Sequence, residues 1–250
     1  MTGTTLPRNS LLAAVGGSAW SRMQPSFHTV RLSLRQVLLD EGEPIRTVHF
    51  PVSGVVSTVA TFRDGGVVEM ATVGTEGMID IGAALGSRRS LGHQMVQVAG
   101  EALAVDYGAF QRHRRDVPAF DRVLGDYVQA YLVQQSQTAA CNAVHSVQAR
   151  AARWLLSCDD RKGGQRLRLT QQFLAEMLGV TRATVGVVAR SMQEAGLIRY
   201  ARGTVAIEDR PGLERVACEC YRTIRNAYRA RNIGLPPDLD EAAVRTEPPA

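Results

Sequence analysis

Between residues 169 and 207 the chain reads LTQQFLAEMLGVTRATVGVVARSMQEAGLIRYARGTVAI, with apolar positions at helical spacing on either side of one glycine. Phe173, Leu174, Met177 and Leu178 form a first stripe, and Val185, Val188, Ala189 and Met192 a second. Steps of three and four place such side chains on one face of an α-helix. Thr170 and Thr181 precede the stripes as N-caps, whose hydroxyls can accept a free backbone N–H. Gly179 ends the first stripe, where a helix terminus favours positive φ. Ala175 is small enough to let the two helices approach, and Val185 falls on the buried side of the second. After Gly196, LIRY and TVAI flank ARG as a small hairpin. The pattern predicts helix, tight turn, helix and wing.

Elsewhere the period changes. From about residue 30 to 107 short β-branched runs (TVHFPVSGVVSTVATF, GGVVEMATVG, HQMVQVAGEALAVD) are broken by glycines, which predicts a β-barrel or jelly roll. From Pro118 the texture is helical, and Phe120, Leu124, Tyr127, Tyr131, Thr138, Asn142 and His145 form one long stripe. ARAARWLLSC predicts a further helix. DRPGLERVACECYRTIRNAYRA predicts a last one, with Leu213, Val216, Ala217, Cys220 and Ile224 on one face. LLAAV reads as a short helix begun at Asn9 or Ser10; it is too short for a signal-peptide core and has no basic lead. No apolar run approaches the roughly 20 residues of a membrane span, so a cytoplasmic protein without membrane contact is expected. The Pro-rich, acidic end GLPPDLDEAAVRTEPPA is expected to be mobile.

Charge separates a packing motif from a nucleic-acid reader. The 250 residues carry 29 basic and 24 acidic side chains, a net of +5. Residues 150–210 alone hold 11 basic and six acidic ones, so the whole excess lies on the helix-turn-helix segment, as phosphate neutralisation requires. The four cysteines, Cys141, Cys158, Cys218 and Cys220, match no zinc-ribbon or iron–sulfur spacing. On one helix the two thiols of CEC would point about 200° apart. Cys141 and His145 lie one turn apart and could share a metal, but packing is the simpler reading, and no metal site is expected. There is no G-x-S-x-G elbow, P-loop, G-x-G-x-x-G or H-E-x-x-H, so no enzyme is expected.

A β-roll, a long helix and a winged helix-turn-helix, in that order, resemble the Crp/Fnr family of bacterial transcription regulators over about residues 9–232. LTQQFLAEMLGVTRATVGVVARSMQEAGLIRYARG carries the resemblance, with QTAACNAVHSVQARAARWLL and EGEPIRTVHFPVSGVV in support. The implied fold class is α+β. Its parts are a segment with a short helix (1–20), a cyclic-nucleotide-binding-like double-stranded β-helix, or jelly-roll, sensor domain (21–117), a dimerisation helix (118–146), the winged helix-turn-helix (147–232) and a flexible tail (233–250). The resemblance implies a homodimer on two-fold DNA operators, with RNA polymerase a further partner of an activator.

At the start of the second helix, Thr181, Arg182, Ala183 and Thr184 should enter the major groove, with Arg182 favoured for a guanine edge over a phosphate. Thr170, Gln171, Thr184, Arg190, Arg199 and Arg202 are phosphate candidates. Leu124, Tyr127, Tyr131 and Thr138 are expected at the dimer seam. For an effector the candidates are Met78, Ile79, Arg88, Arg89, Ser90 and Ser136. Met78 and Ile79 replace the family's Glu-Leu, and Ser90 and Leu91 its Arg-Ser/Thr, so cyclic AMP is not expected. Nor is an iron–sulfur cluster, since no cysteine precedes Cys141. His49, His93 and His145 have no supporting haem pattern, so no cofactor is expected. The alternative, a cyclic-nucleotide-binding regulator acting on a protein partner, would have no need of a basic winged helix.

Overall fold

The computed structural model describes residues 6–63, 65–162, 167–201 and 203–234. The polypeptide starts with α1 (Ser10–Ala13) and α2 (Gly17–Met23). Asn9 caps α1 by accepting from Leu12 N at 3.0 Å, and its amide donates to Pro51 O and Gly77 O at 2.9 and 2.8 Å. Leu11 and Leu12 are thereby sunk into the main core, so LLAAV is the expected short helix and closes one end of the β-domain.

That domain is one antiparallel sheet. β1 (Phe27–Leu32), β3 (Thr47–Thr61), β4 (Val67–Val73) and β5 (His93–Asp106) run in the order β1-β5-β3-β4, and β2 (Val37–Leu39) pairs with β5. The register of β3 on β5 shifts between Pro51 and Ser53, Ser53 and Val55, and Val55 and Val56; such bulges bend long strands so that a sheet can enclose a core. At the crossing, a Cβ on Gly54 would lie 2.5 Å from Val98 O and one on Gly100 2.3 Å from Ser53 O, so only glycine fits either place. Val56 and Val96 pack inward with Leu32, Ile79 and Ala102, whereas Val55, Val59 and Val98 pack outward against the C-terminal helices. With both faces covered, the centre of β3 loses the usual alternation.

From the loop after β4, Asp80 (φ 62°) caps α3 (Ile81–Ala84). Asp106 caps α4 (Tyr107–Asp116), which leads through Val117 into α5 (Pro118–Val144). Phe50, Phe110 and Phe120 meet with ring centroids 5.6–6.4 Å apart. Such pairs add about 0.5–1.5 kcal/mol each beyond their buried area.

Helix α5 corrects one expectation. Leu124, Tyr127, Tyr131 and Thr138 are at most 4% exposed within a single chain, so they cannot form a seam with a second copy. They seat α5 on the β-domain instead: Tyr127 OH donates to Met78 O at 2.9 Å, and Tyr131 OH lies 2.8 Å from Thr58 Oγ1. The stripe showed that this face is buried, and covalent linkage to the sheet supplied its nearest cover. The exposed face carries Gly125, Gln129, Leu132, Ser136, Ala139 and Ala143, at alternating steps of four and three.

After Ser146, α6 (Val147–Arg161), β6 (Leu167–Arg168), α7 (Gln171–Leu178), α8 (Arg182–Glu194), β7 (Ile198–Ala201), β8 (Thr204–Ile207), α9 (Arg210–Val216) and α10 (Cys220–Arg229) complete the chain. The wing is a three-stranded sheet, β6-β8-β7, rather than a bare hairpin. The last helix is broken: Ala217 is extended (φ −64°, ψ 148°), so α9 and α10 meet at a corner. α10 folds back on α5, adding Ile224 and Tyr228 to the main core together with Ile233. Thus Ile233 and Gly234, the first residues of the expected mobile tail, are docked; Gly234 O accepts from Ser10 Oγ at 3.0 Å. Residues 235–250 lie outside those described. Among the described residues, no helix is long and apolar enough to cross a membrane.

Candidate nucleic-acid interface

Two threonine caps and one glycine shape the interface. Thr170 Oγ1 accepts from Phe173 N at 3.1 Å and Thr181 Oγ1 from Thr184 N at 3.2 Å. Gly179 is left-handed (φ 63°) and its N–H bonds back to Ala175 O and Glu176 O. With Val185, Ala189 and Met192 buried beneath α8, Thr181, Arg182 and Ala183 stand exposed at its amino end, with Thr184 half-buried beside them. Free N–H groups and the helix dipole make such an end attractive to phosphate. Arg182 and Arg190 are exposed and form no ion pair among the described residues. Arg199 is paired with Glu208 (Nε–Oε1 2.7 Å) on the surface, worth at most about 1 kcal/mol and readily exchanged for a phosphate. Thr170 is exposed and Gln171 half-buried on the same side; Arg202 lies outside the described residues.

This reading head is seated on the β-domain. A Cβ on Gly179 would lie 2.9 Å from Val68 Cγ2, so the turn between α7 and α8 rests on the β3–β4 hairpin. Arg35 stacks 5.7 Å above the Phe173 ring, and Gln97 Nε2 lies 2.8 Å from Met177 Sδ. Behind them Glu69 is buried, accepting from Ser57 Oγ (2.5 Å), Thr72 Oγ1 (2.8 Å) and Gln97 Nε2 (2.9 Å).

A second tie crosses all three parts of the molecule. Arg161, in the last turn of α6, donates Nε to Glu76 Oε1 at 2.7 Å and Nη2 to Gln134 Oε1 of α5 at 2.9 Å; Tyr228 OH also reaches Gln134 Oε1, at 3.2 Å. Glu76 and Arg161 are 0% and 1% exposed. Gln134 and Tyr228 continue the apolar faces of their helices by position, but no local pattern showed that they meet Arg161, and nothing in the sequence marks Glu76.

The effector candidates do not form one site. Met78, Ile79 and Ser90 are buried, and Ser90 Oγ donates to Gly92 O at 2.7 Å within its own turn. Arg88 and Arg89 are on the surface, where Arg89 Nη1 donates to Gly42 O at 2.7 Å. Ser136 is a correction: Gln134 and Thr138 are buried, Gln134 donating to Thr72 O of β4 at 2.8 Å, and a residue two steps from each points to the opposite, exposed side of α5. Asp80 is buried, its Oδ1 accepting from Gly82 N at 2.8 Å and its Oδ2 without a hydrogen-bond partner among the described residues, and desolvation raises its pKa. Of the histidines, His49 is held neutral by burial and then by His28, its pKa lowered to about 4. His93 pairs with Asp40 at 2.6 Å.

A helix-turn-helix with an exposed Arg at the start of its second helix and a winged sheet behind it has the form of a DNA-binding domain, here joined to a β-domain. Residues 149–216 match the Crp-like helix-turn-helix domain. Among solved structures the chain is similar to the c-di-GMP responsive global regulator CLP of Xanthomonas campestris, at 21% identity, covering 78% of this chain and 100% of that one with a TM-score of 0.62. It is also similar to FixK2 of Bradyrhizobium japonicum (15% identity, 77% and 98% covered, TM-score 0.65). A Crp/Fnr-family transcriptional regulator of Thermus thermophilus gives 20% identity, 76% and 98% covered and a TM-score of 0.58. No curated protein matches the chain in sequence. The chain thus has the fold of the Crp/Fnr-type transcription regulators, with a Crp-like helix-turn-helix DNA-binding domain.

Proposed function

We propose that the protein is a homodimeric regulator that reads two-fold operators through Thr181, Arg182, Ala183 and Thr184, with Thr170, Gln171, Arg190, Arg199 and Arg202 on flanking phosphates. The observation that carries this reading is the exposed, unpaired Arg182 at the amino end of a helix whose other face is packed. A guanidinium there can donate two hydrogen bonds to guanine O6 and N7. The test is to select operators from random DNA and compare variants. Arg182→Ala loses discrimination against random DNA by about 1–3 kcal/mol, whereas Arg190→Ala weakens both complexes alike. Equal losses on both DNAs for Arg182→Ala reject the assignment.

Dimerisation is assigned to the exposed face of α5, because Gly125, Gln129, Leu132, Ser136, Ala139 and Ala143 keep the 4-3 spacing of a coiled-coil seam, with Leu132 as an exposed apolar knob and the small Gly125, Ser136, Ala139 and Ala143 allowing close approach. As for the signal, an anionic cyclic phosphate is disfavoured in the β-domain. The position beside Ser90 is occupied by the carboxyl of Asp80, and Met78 offers no hydrogen bond to a ribose.

A further inference from the structure

Two of the four cysteines lie beyond the helix-turn-helix match, which ends at residue 216, in the corner that leads to α10. Because Ala217 is extended, Cys218 and Cys220 do not follow one helical path, and both turn toward the end of α5. There Cys141 occupies the last turn and His145 the extended C-cap (φ −95°, ψ 149°). Cys141 Sγ is 3.5 Å from Cys218 Sγ, and Cys220 Sγ is 3.5 Å from His145 Nδ1. The four donor atoms all lie within 4.8 Å of one another.

We propose that Cys141, His145, Cys218 and Cys220 bind one zinc ion in a tetrahedral, structural site that staples α10 to the end of the long helix. With Zn–S about 2.3 Å and Zn–N about 2.0 Å, a regular tetrahedron has S···S edges of about 3.8 Å and S···N edges of about 3.6 Å. The two 3.5 Å separations already match these edges, and the widest pair needs to close by at most about 1 Å. Three thiolates and one imidazole are a soft donor set that suits zinc, and four protein ligands leave no open position.

The surroundings supply what such a centre needs. His145 faces the thiols with Nδ1 and turns Nε2 to Glu219 Oε1 at 3.2 Å, which fixes the ring and its tautomer as carboxylates do behind zinc-bound histidines. Gln137 Nε2 donates to Cys220 Sγ at 3.1 Å. Zinc with three thiolates carries one net negative charge. Arg150 and Arg153 are both buried, Arg153 interacts electrostatically with Cys141, Arg150 with Cys141 and Cys218, and neither has a partner for its Nε among the described residues. Arg150 also donates to Leu178 O at the end of α7, so the same side chain joins this centre to the reading head.

The full chain, loaded with zinc and freed of excess, is analysed by plasma mass spectrometry, and the metal-free chain is titrated with cobalt(II). The site requires one zinc per chain and a cobalt spectrum with thiolate charge-transfer and tetrahedral bands. Cys218→Ser and Cys220→Ser lose at least tenfold in affinity against a chromophoric chelator, while Cys158→Ser, whose thiol is buried in α6 outside the cluster, binds as the parent does. His145→Cys keeps the ion and strengthens the charge-transfer band. Zinc raises the melting temperature of the parent and not of Cys218→Ser. Absence of stoichiometric metal overturns the proposal. So does a parent chain with only two titratable thiols after denaturation, since a Cys141–Cys218 disulfide would then occupy these atoms. Should the serine variants not fold, a parent cobalt spectrum lacking thiolate bands overturns it alone.

Discussion

Removing Arg161 should be strongly destabilising. Its guanidinium is 1% exposed and donates to Glu76 at 2.7 Å, Gln134 at 2.9 Å and Ser157 O at 3.2 Å. In Arg161→Met the Glu76 carboxylate stays buried with only the Gly74 N–H, at 3.1 and 3.3 Å from its two oxygens, to satisfy it among the described residues. A buried charge stripped of its partner costs about 3–5 kcal/mol, a large part of the roughly 5–15 kcal/mol that holds a typical domain together. The double variant Glu76→Gln/Arg161→Met buries no charge, so it should recover at least half of that loss; buried pairs can be replaced without penalty when both partners go together. The two tryptophans make this measurable. Trp20 is buried beside the β-domain and Trp154 within α6, so single-tryptophan variants report urea unfolding from each part. In Arg161→Met both transitions move to lower urea, because the pair joins the two parts, and in the double variant both move back. A loss below about 1 kcal/mol for Arg161→Met, in the range of exposed pairs, would refute the reasoning, as would a double variant no more stable than the single one.

Three further outcomes are expected. Leu132→Glu, on the exposed face of α5, converts dimers to monomers in analytical sedimentation without lowering the urea midpoint of the monomer, whereas Tyr131→Glu lowers stability by burying a charge; a stable dimer from Leu132→Glu moves the seam elsewhere. His49 is neutral when folded, with a pKa near 4 against 6.5 unfolded, so only the unfolded chain gains its proton as pH falls below 6.5. Stability therefore drops between pH 6.5 and 4 by up to about 3 kcal/mol more in the parent than in His49→Gln, and parallel pH profiles of the two would exclude the effect. Calorimetry with cyclic AMP or cyclic GMP shows no micromolar binding; tight binding that also strengthens the operator complex would reinstate Arg88 or Arg89 as a phosphate ligand.

The elements legible in the sequence were those whose signal is local. Thr170, Gly179 and Thr181 each perform the capping or turning task their residue type allows, and these depend on neighbours within four residues. The stripe from Phe120 to Thr138 was equally visible, yet periodicity records that a face is buried and not what buries it. Aromatic side chains with hydroxyls that reach Met78 O and Thr58 Oγ1 suit a fixed intramolecular seat, while Gly125, Leu132, Ser136, Ala139 and Ala143 opposite suit close approach of a second helix. The CEC segment failed for another reason. The 200° argument assumes an unbroken helix, and LERVACECYRT contains no proline or glycine to announce the break at Ala217. Once the backbone turns there, residues 77 positions apart in sequence bring their sulfurs to 3.5 Å. Glu76 and Arg161, 85 positions apart, are the same case with charges. Contacts of this separation are created by packing α6 and α10 back onto the β-domain and α5, so no window of one sequence can carry them. They are also the contacts that hold the reading head to the rest of the chain. In this molecule, then, the helix-turn-helix could be read from local pattern, and the contacts that set its position could be read only from the assembled fold.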